Sequence, residues 1–372
     1  MHAPLQTPQA VAGKDPVSWV TAKSLRAKHR LSVQRNHPRP MAVTLKDVAI
    51  RAGVSRAAVS RSFTPGASVS AKTRAKVEQA AAALGYSPNI LARSLMTGKT
   101  QLIGLVSNNF HNPVFLQIFD QFTRGLQEKS MRPLLVNLSD ETDPARSVQL
   151  LRAYSVEGVI LASSELPDGF AQAFLQAGLP VVHAFGRASA PHAVNLVGID
   201  NHQAGRMAAA TLIARGYTRI GFMGGPHAAS TTQDRMAGFL DEVALHPGVA
   251  ATVSFAGAYR FEDGRTEMLR LLASQPAQAY FCGDDVLSIG ALSAAQTCGL
   301  RVPDDLGLIG LNDMEMAGWP NINLTTIHQP FEAMIAASID LMLATLADPA
   351  RPPETRLLPC RLVERGTLRA LA

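Results

Sequence analysis

Residues 44–63 read "TLKDVAIRAGVSRAAVSRSF", two short helix-like segments separated by a glycine. Thr44 and Asp47 have the spacing of a capping box, which marks the start of a first helix. Gly53 stands where that helix must end, and Ser55 can cap a second one. In the second segment Val59 points inward while most other side chains are small or basic. This pattern predicts two helices joined by a tight turn.

A third helix is predicted over residues 71–84. Ser70 can cap it, and Gly85 can end it. Its apolar residues recur at helical spacing; they are Val77, Ala80, Ala81 and Leu84. Three short helices around so small a core are typical of a helix-turn-helix module, to which we assign residues 41–86.

The charge is divided unevenly along the chain. Residues 1–100 contain 16 lysines and arginines and three acidic residues, whereas residues 101–372 contain 19 basic and 26 acidic residues. A basic head on an acidic body indicates a module that binds a polyanion. The alternative is a solvated surface on which the split is accidental.

Residues 1–40 have no sustained periodicity, and we expect a disordered basic extension there. Two interpretations stay open for this stretch. Translation begins at Met41 and the stretch is an error of gene assignment, or the stretch is a basic arm that adds non-specific affinity for nucleic acid.

Residues 87–100, "SPNILARSLMTGKT", are predicted to form a hinge helix and linker. After Pro88 the helical composition lasts only about two turns, too short for a stable isolated helix. We expect it to form against DNA and the same segment of a second chain. Leu95 would then be an apolar wedge that enters the minor groove and bends the duplex.

The body, residues 101–372, alternates apolar runs such as "LIGLV" and "GVILAS" with helical stretches, and the series restarts at "RIGFMGG". This alternation predicts an α/β core of two doubly wound parallel-sheet subdomains with a cleft between them. Because ligands bind at the carboxyl ends of such strands, the residues that follow each strand are the candidate contacts. The candidate effector-binding residues are Asn112, Phe115, Arg187, Thr231, Arg235, Tyr259, Asp284 and Asn312.

Polar groups around aromatic rings suit a sugar or sugar derivative. Singly, each of these residues could instead be a loop cap or a core hydrogen bond. An enzyme is disfavoured, since the chain has no G-x-S-x-G, H-E-x-x-H or G-x-G-x-x-G motif. The histidines and the three scattered cysteines have no metal-ligand spacing, so we expect no metal or cofactor.

Several stretches are similar to the lactose/galactose-repressor family of bacterial transcription regulators. They include residues 44–63, "VSAKTRAKVEQAAAALGYSPN", "LARSLMTGKTQLIGLV", "VGIDNHQAG", "GLRVPDDLGLIGLND" and "LTTIHQP", and the resemblance covers residues 41–368. It implies a helix-turn-helix, a hinge helix and an effector-binding core that resembles periplasmic sugar-binding proteins. A transport-type binding protein would need a signal sequence, which is not apparent here.

The resemblance also implies roles for particular residues. The groove-reading positions are Ser55, Arg56, Ala57, Ser60 and Arg61. Phosphate contacts would come from Thr44, Thr64, Ser70 and Thr73, and hinge contacts from Asn89, Ala92 and Leu95. Arg235 and Asp284 occupy positions where the family contacts its effector, while some members carry Asp in place of Asn312.

We therefore expect a homodimeric, effector-controlled repressor that binds a pseudo-palindromic operator. The scattered cysteines favour the reduced cytoplasm, and no apolar run is long enough for a membrane span. The expected N-subdomain comprises residues 101–200 and 334–360, and the C-subdomain residues 201–333 and 361–372.

Overall fold

The structure is a computed structural model. It describes residues 43–64, 66–88, 94, 98–138, 144–163, 166, 169–187 and 194–371. The chain divides into two compact units, one that ends at Asn89 and one that begins at Ile90. The predictions for residues 1–40 lie outside the described residues.

The first unit is a helical head. Its helices are α1 (Leu45–Ala52), α2 (Arg56–Ser62) and α3 (Ala71–Leu84). Thr44 and Asp47 form the capping box: the Thr44 hydroxyl accepts from the Asp47 amide at 3.4 Å, and the Asp47 carboxylate accepts from the Thr44 amide at 2.8 Å. Gly53 ends α1 at φ 64°, a left-handed conformation that costs glycine little. The predicted helix-turn-helix is thus the observed arrangement.

A small apolar core holds the head together. One or more residues of each helix are buried in it; they are Val48, Ala49, Val59, Val77, Ala80 and Ala81. Only Val59 represents α2 in this set. Ser62 is also buried, whereas Arg56, Ala57 and Arg61 are exposed and available for contact with a partner.

The second unit contains two six-stranded sheets. The first sheet and its helices begin with β1 (Leu102–Ser107), α4 (Val114–Glu128), β2 (Arg132–Asn137), α5 (Pro144–Ala153), β3 (Gly158–Ala162), α6 (Gly169–Gln176), β4 (Val181–Ala184) and β5 (Asn195–Ile199). They are completed near the end of the chain by α11 (Phe331–Ala347) and β11 (Thr355–Leu358). The strand order is β11-β5-β4-β3-β1-β2, with every pairing parallel.

The second sheet repeats this plan. Its elements are α7 (Asn201–Ile213), β6 (Arg219–Gly224), α8 (Ser230–Ala244), β7 (Ala250–Phe255), α9 (Phe261–Leu272), β8 (Ala279–Cys282), α10 (Asp285–Thr297), β9 (Gly307–Asn312), a 3₁₀ turn (Glu315–Gly318), β10 (Thr326–His328) and β12 (Arg361–Val363). The order is β12-β10-β9-β8-β6-β7, and β12 alone is antiparallel to its neighbour. The predicted α/β core of two doubly wound, mainly parallel sheets is confirmed.

The chain passes between the sheets after β5, after β10 and between β11 and β12. We call the first sheet with its helices the N-subdomain and the second sheet with its helices the C-subdomain. The residue bounds predicted for the head, the hinge and the subdomains stay predictions.

Helices α7 and α8 approach each other backbone to backbone. A Cβ atom added to Gly205 would lie 2.0 Å from the carbonyl oxygen of Arg235, and one added to Gly238 would lie 1.9 Å from that of His202. Only glycine permits so close a crossing, which fixes α8 at the edge of the cleft. No helix among the described residues is both long and apolar enough to cross a membrane.

Candidate functional site

The outer face of α2 is small, polar and basic. Arg56, Ala57 and Arg61 are exposed and Ser60 is partly exposed, whereas Val59 is buried. Within the described residues neither Arg56 nor Arg61 forms an ion pair or a side-chain hydrogen bond. Free guanidinium groups on an exposed helix can donate to guanine O6 and N7 or to phosphate oxygens.

The hydroxyl residues of the head already have local partners. Ser55 and Ser70 cap α2 and α3 by accepting the amides of Ala58 and Thr73, each at 3.2 Å. The Thr64 hydroxyl donates to the Ser60 carbonyl at 2.9 Å, and the hydroxyls of Ser70 and Thr73 lie 2.8 Å apart. These caps place amide groups at helix starts, where a phosphate can bind. The phosphate-contact roles of Thr44, Thr64, Ser70 and Thr73 stay predictions.

The predicted hinge contacts Asn89, Ala92 and Leu95 lie outside the described residues. Their roles stay predictions.

A cavity opens between the two subdomains and contains about 480 Å³ of empty space, part of it open to solvent. Residues that follow strands of both sheets line it, at the edges where ligands bind in parallel α/β sheets. Seven of the eight candidate effector-binding residues line it: Asn112, Phe115, Thr231, Arg235, Tyr259, Asp284 and Asn312.

Arg187 is the exception, because its side chain is not part of the cavity wall. Its guanidinium pairs with the Asp234 carboxylate, at 3.0 Å from Nε to Oδ2 and 2.7 Å from Nη2 to Oδ1. In this structure Arg187 bridges the two subdomains rather than facing the cavity.

Asp284 is at the centre of a buried polar network. Its Oδ2 accepts from the side-chain amides of Asn112 at 2.9 Å and Asn312 at 2.8 Å, and its Oδ1 accepts from the Val286 amide at 2.7 Å. Gln329 donates to Asn312 Oδ1 at 2.6 Å. Burial raises the pKa of Asp284 to about 6, although these hydrogen bonds oppose the rise. The carboxylate therefore mainly holds protein groups in place.

The neighbouring Asp285 is fully buried and is not part of the cavity wall. It accepts from the Met314 amide at 2.8 Å and the Thr326 hydroxyl at 2.5 Å. Burial raises its pKa to about 7. Asp285 thus anchors the loop that follows β9.

Arg235 supplies the positive charge of the cavity. Its Nε donates to Asn201 Oδ1 at 2.8 Å and its Nη1 donates to the Gly283 carbonyl at 2.7 Å. No other hydrogen bond of this guanidinium occurs within the described chain, so Nη2 remains a donor for a ligand.

The Thr231 hydroxyl is a second donor on the same helix. It is buried and lies near enough to Tyr259 to lower that phenol's pKa, yet it meets hydrogen-bond geometry with no described group. Tyr259 itself bonds to the Thr232 hydroxyl at 2.6 Å. Burial is the largest influence on Tyr259 and raises its pKa overall.

Three phenylalanine rings form the apolar side of the cavity. Phe185 lies edge-on to Phe115 and Phe331, with ring centroids 6.4 Å and 5.9 Å apart. A molecule bound here would meet apolar rings on one side and the donors of Arg235 and Thr231 on the other. Such a site suits a small molecule that has both an apolar face and hydrogen-bonding oxygens.

Eight further wall residues were not among the candidates: Asn109, Val114, Ile118, Phe185, Ile199, Asn201, Gln329 and Phe331. Phe185 and Asn201 follow β4 and β5 closely, so the strand-end rule would have found them. Gln329 directly follows β10, a strand of only three residues that the sequence analysis does not predict, and Phe331 is the first residue of α11. Among the described residues, no three histidine, cysteine or acidic side chains are grouped to hold a metal ion.

A helix-turn-helix head and a two-subdomain core with a cleft define a class of ligand-responsive DNA-binding regulators. The family model described as "Bacterial regulatory proteins, lacI family" matches residues 44–89, and the model "Periplasmic binding protein-like domain" matches residues 209–368.

Curated relatives match most of the chain. The HTH-type transcriptional repressor PurR of Klebsiella pneumoniae (strain 342) is 32% identical over 331 residues, covering 87% of this chain and 96% of the relative. The PurR protein of Escherichia coli O139:H28 is 33% identical over 335 residues, with the same coverage. This protein belongs to the lacI family of bacterial regulatory proteins.

Solved structures agree with this assignment. The Lac repressor dimer bound to operator and the anti-inducer ONPF has a TM-score of 0.80 at 28% identity, covering 88% of this chain and all of that one. The transcriptional regulator CelR in complex with cellobiose has a TM-score of 0.66 at 28% identity, with the same coverage.

Proposed function

We propose that the protein is a sequence-specific DNA-binding transcriptional repressor whose operator affinity is controlled by a small effector in the cleft. The observation that carries this proposal is the exposed face of α2, where Arg56 and Arg61 have no partner among the described residues. Inserted in a major groove, these groups would contact base edges or phosphates, with Ser55, Ala57 and Ser60 completing the contact surface.

The operator-bound state is a homodimer on a pseudo-palindromic site. The Lac repressor neighbour is a dimer bound to operator. Two-fold symmetry of the protein is matched by two half-sites in such operators. The hinge residues Asn89, Ala92 and Leu95 contact the minor groove between the half-sites, with Leu95 as the wedge.

The effector is a small polar molecule, sugar-like in carrying both oxygens and an apolar face. Arg235 and Thr231 offer it donors, and the rings of Phe115, Phe185 and Phe331 offer it a stacking surface. The CelR neighbour holds cellobiose. Asn112, Tyr259, Asp284 and Asn312 shape the site around it. The protein acts as a regulator without catalytic turnover, in the bacterial cytoplasm where its DNA lies.

One experiment tests the DNA-binding half. Duplexes that the full-length chain retains from a random pool are sequenced over successive rounds. Enrichment of one pseudo-palindromic site is the expected result, and retention of unrelated sequences at equal affinity would contradict the proposal. The variant Arg56→Ala/Arg61→Ala should enrich no site, whereas Arg270→Ala on the core should enrich the same site as the wild type.

A second experiment tests the effector half. Sugars, sugar acids and nucleosides are added singly to the full-length chain while its melting temperature is recorded, because a ligand that binds only the native state raises it. An active compound should lose its effect in Arg235→Lys, which keeps the charge but not the fork of donors. An unchanged effect would place the effector elsewhere.

A further inference from the structure

Arg187 connects the two subdomains at the rim of the cleft. It follows β4 of the N-subdomain, and all four of its hydrogen bonds reach the first turn of α8 in the C-subdomain. Besides the two bonds to Asp234, Nη2 donates to the Ser230 carbonyl at 2.8 Å and to Gln233 Oε1 at 3.1 Å. A planar guanidinium held by a carboxylate and a backbone carbonyl has one favoured geometry.

The residues that bind Arg187 alternate along α8 with residues that line the cavity. Ser230, Gln233 and Asp234 hold the guanidinium. Thr231 and Arg235, in the same turn and the next, face the cavity. Any movement of this turn relative to Arg187 therefore moves both donors of the cavity.

This contact depends on a closed cleft. Arg187 belongs to the N-subdomain and Asp234 belongs to the C-subdomain, so separation of the subdomains breaks the ion pair between them. Within the cleft, the Asn112–Asp284 hydrogen bond makes a second link of this kind. The ion pair is only partly screened from water, with 36% of the Arg187 side chain and 30% of the Asp234 side chain exposed. Salt should therefore weaken it without abolishing it.

We propose that Arg187 is a positioning residue for the effector site: across the closed cleft it holds the first turn of α8, and so aims Thr231 and Arg235 at the effector. The presence of an effector in this cavity rests on the proposed function. The positioning itself is a property of the protein alone, and its test uses the effector-free chain.

Hydrogen–deuterium exchange of the full-length protein measures this positioning directly. In Arg187→Gln and in Asp234→Asn, amides in the first turns of α8 should exchange roughly 2–10-fold faster than in the wild type, as expected for the loss of a partly exposed ion pair with local effect. The melting temperature should hardly change, which distinguishes local release from general destabilisation. Raising sodium chloride to about 1 M should speed this exchange in the wild type more than in either variant.

Arg206→Gln is the matched control. Arg206 pairs with Glu242 at 2.9 Å near the other end of α8, but both residues belong to the C-subdomain. This control should leave exchange in the first turn of α8 unchanged. The double variant Arg187→Gln/Asp234→Asn should exchange no faster than Arg187→Gln alone, because the loss of Arg187 already removes the ion pair that Asp234→Asn breaks.

Three results would each overturn the proposal: wild-type exchange in both single variants, an equal increase in Arg206→Gln, or additive increases in the double variant. A failed search for effectors would instead count against the proposed function and leave these exchange results standing.

Discussion

At the scale of single residues, the adjacent carboxylates of Asp284 and Asp285 have different structural roles. Asp284 accepts hydrogen bonds from side-chain amides of both subdomains. Asp285 accepts one from the backbone amide of Met314, in the loop after β9. Both are buried, and burial raises the pKa of each above its ordinary value. Each side chain accepts several hydrogen bonds, but burial of its charged form away from water is unfavourable.

These raised pKa values predict how stability depends on pH. Stability contributed by such a group is present in full below the unfolded pKa near 3.8 and is lost as pH rises through the folded pKa, about 7 for Asp285. The free energy of unfolding should therefore increase, by on the order of 2–3 kcal/mol, as pH falls from 8 to 5. Denaturant titrations across this range should show a smaller increase in Asp285→Asn and an unaltered one in the exposed control Glu128→Gln. Parallel curves for the wild type and Asp285→Asn would refute the assignment.

Arg56 should distinguish base reading from phosphate contact. If it reads a base, Arg56→Ala weakens operator binding by about 1–3 kcal/mol and relaxes the preference at one base pair. Fluorescence anisotropy with the selected operator and its single-base variants measures both effects. Arg51→Ala, an exposed cation outside the predicted reading set, serves as the control. An equal loss on every sequence would make Arg56 a phosphate contact.

Sequence alone located seven of the fifteen residues of the cavity wall, because residues that follow parallel strands converge at one edge. It did not show which of them bond to one another. Asn112 and Asp284 are 172 residues apart, and Arg187 and Asp234 are 47 apart. Their contacts depend on the closure of two sheets, for which the local sequence carries no signal. Arg187 was accordingly grouped with the effector contacts.

At the scale of helices, the head was the most predictable part. Thr44, Gly53, Ser55, Ser70 and Gly85 are local start and stop signals, and each acts where the sequence predicts. The crossing of α7 and α8 was not predictable, since nothing marks two distant glycines as partners. The packing role of Gly205 and Gly238 is apparent only in the folded structure, where the two helices are in contact.

This crossing predicts a strong effect from one methyl group. Gly205→Ala should destabilise the protein by about 2 kcal/mol or more, because the added carbon would overlap the backbone of α8 at Arg235. It should also displace Arg235 and so weaken effector binding. Gly169→Ala in α6 is the control, since its added methyl meets no atom within 4 Å and alanine favours helix. Denaturant unfolding of both variants measures the difference, and equal stabilities would show that α8 shifts freely.

At the scale of the whole molecule, the head and the core differ in net charge as well as in fold. The basic residues concentrate before residue 101 and the acidic excess lies after it. The core is therefore expected to be repelled by DNA, while the head is attracted to it. Non-specific binding of the core is thereby opposed, and contact is directed to α2.

Operator affinity should accordingly fall steeply with salt. Each phosphate neutralised by the head releases counterions, and a protein with six or more such contacts loses roughly 10³-fold or more between about 50 and 200 mM salt. Anisotropy titrations at several salt concentrations give the slope. Arg61→Ala should make it shallower by about one if Arg61 binds a phosphate. A slope near zero for the wild type would remove the electrostatic basis of DNA binding.

The three passages of the chain between the sheets also set the order in which the protein can be completed during synthesis. The head emerges from the ribosome first, and the apolar core of its helices is formed by residues within 43–88 alone. The N-subdomain sheet must wait for α11 and β11, so β5 gains its outer partner only after residue 358 has been made. The C-subdomain waits longer still, for β12. A nonsense mutation near residue 330 would therefore yield a chain with a foldable basic head and two incomplete sheets. Such a product would keep the positive charge that attracts DNA but would lack the cleft that binds a small molecule.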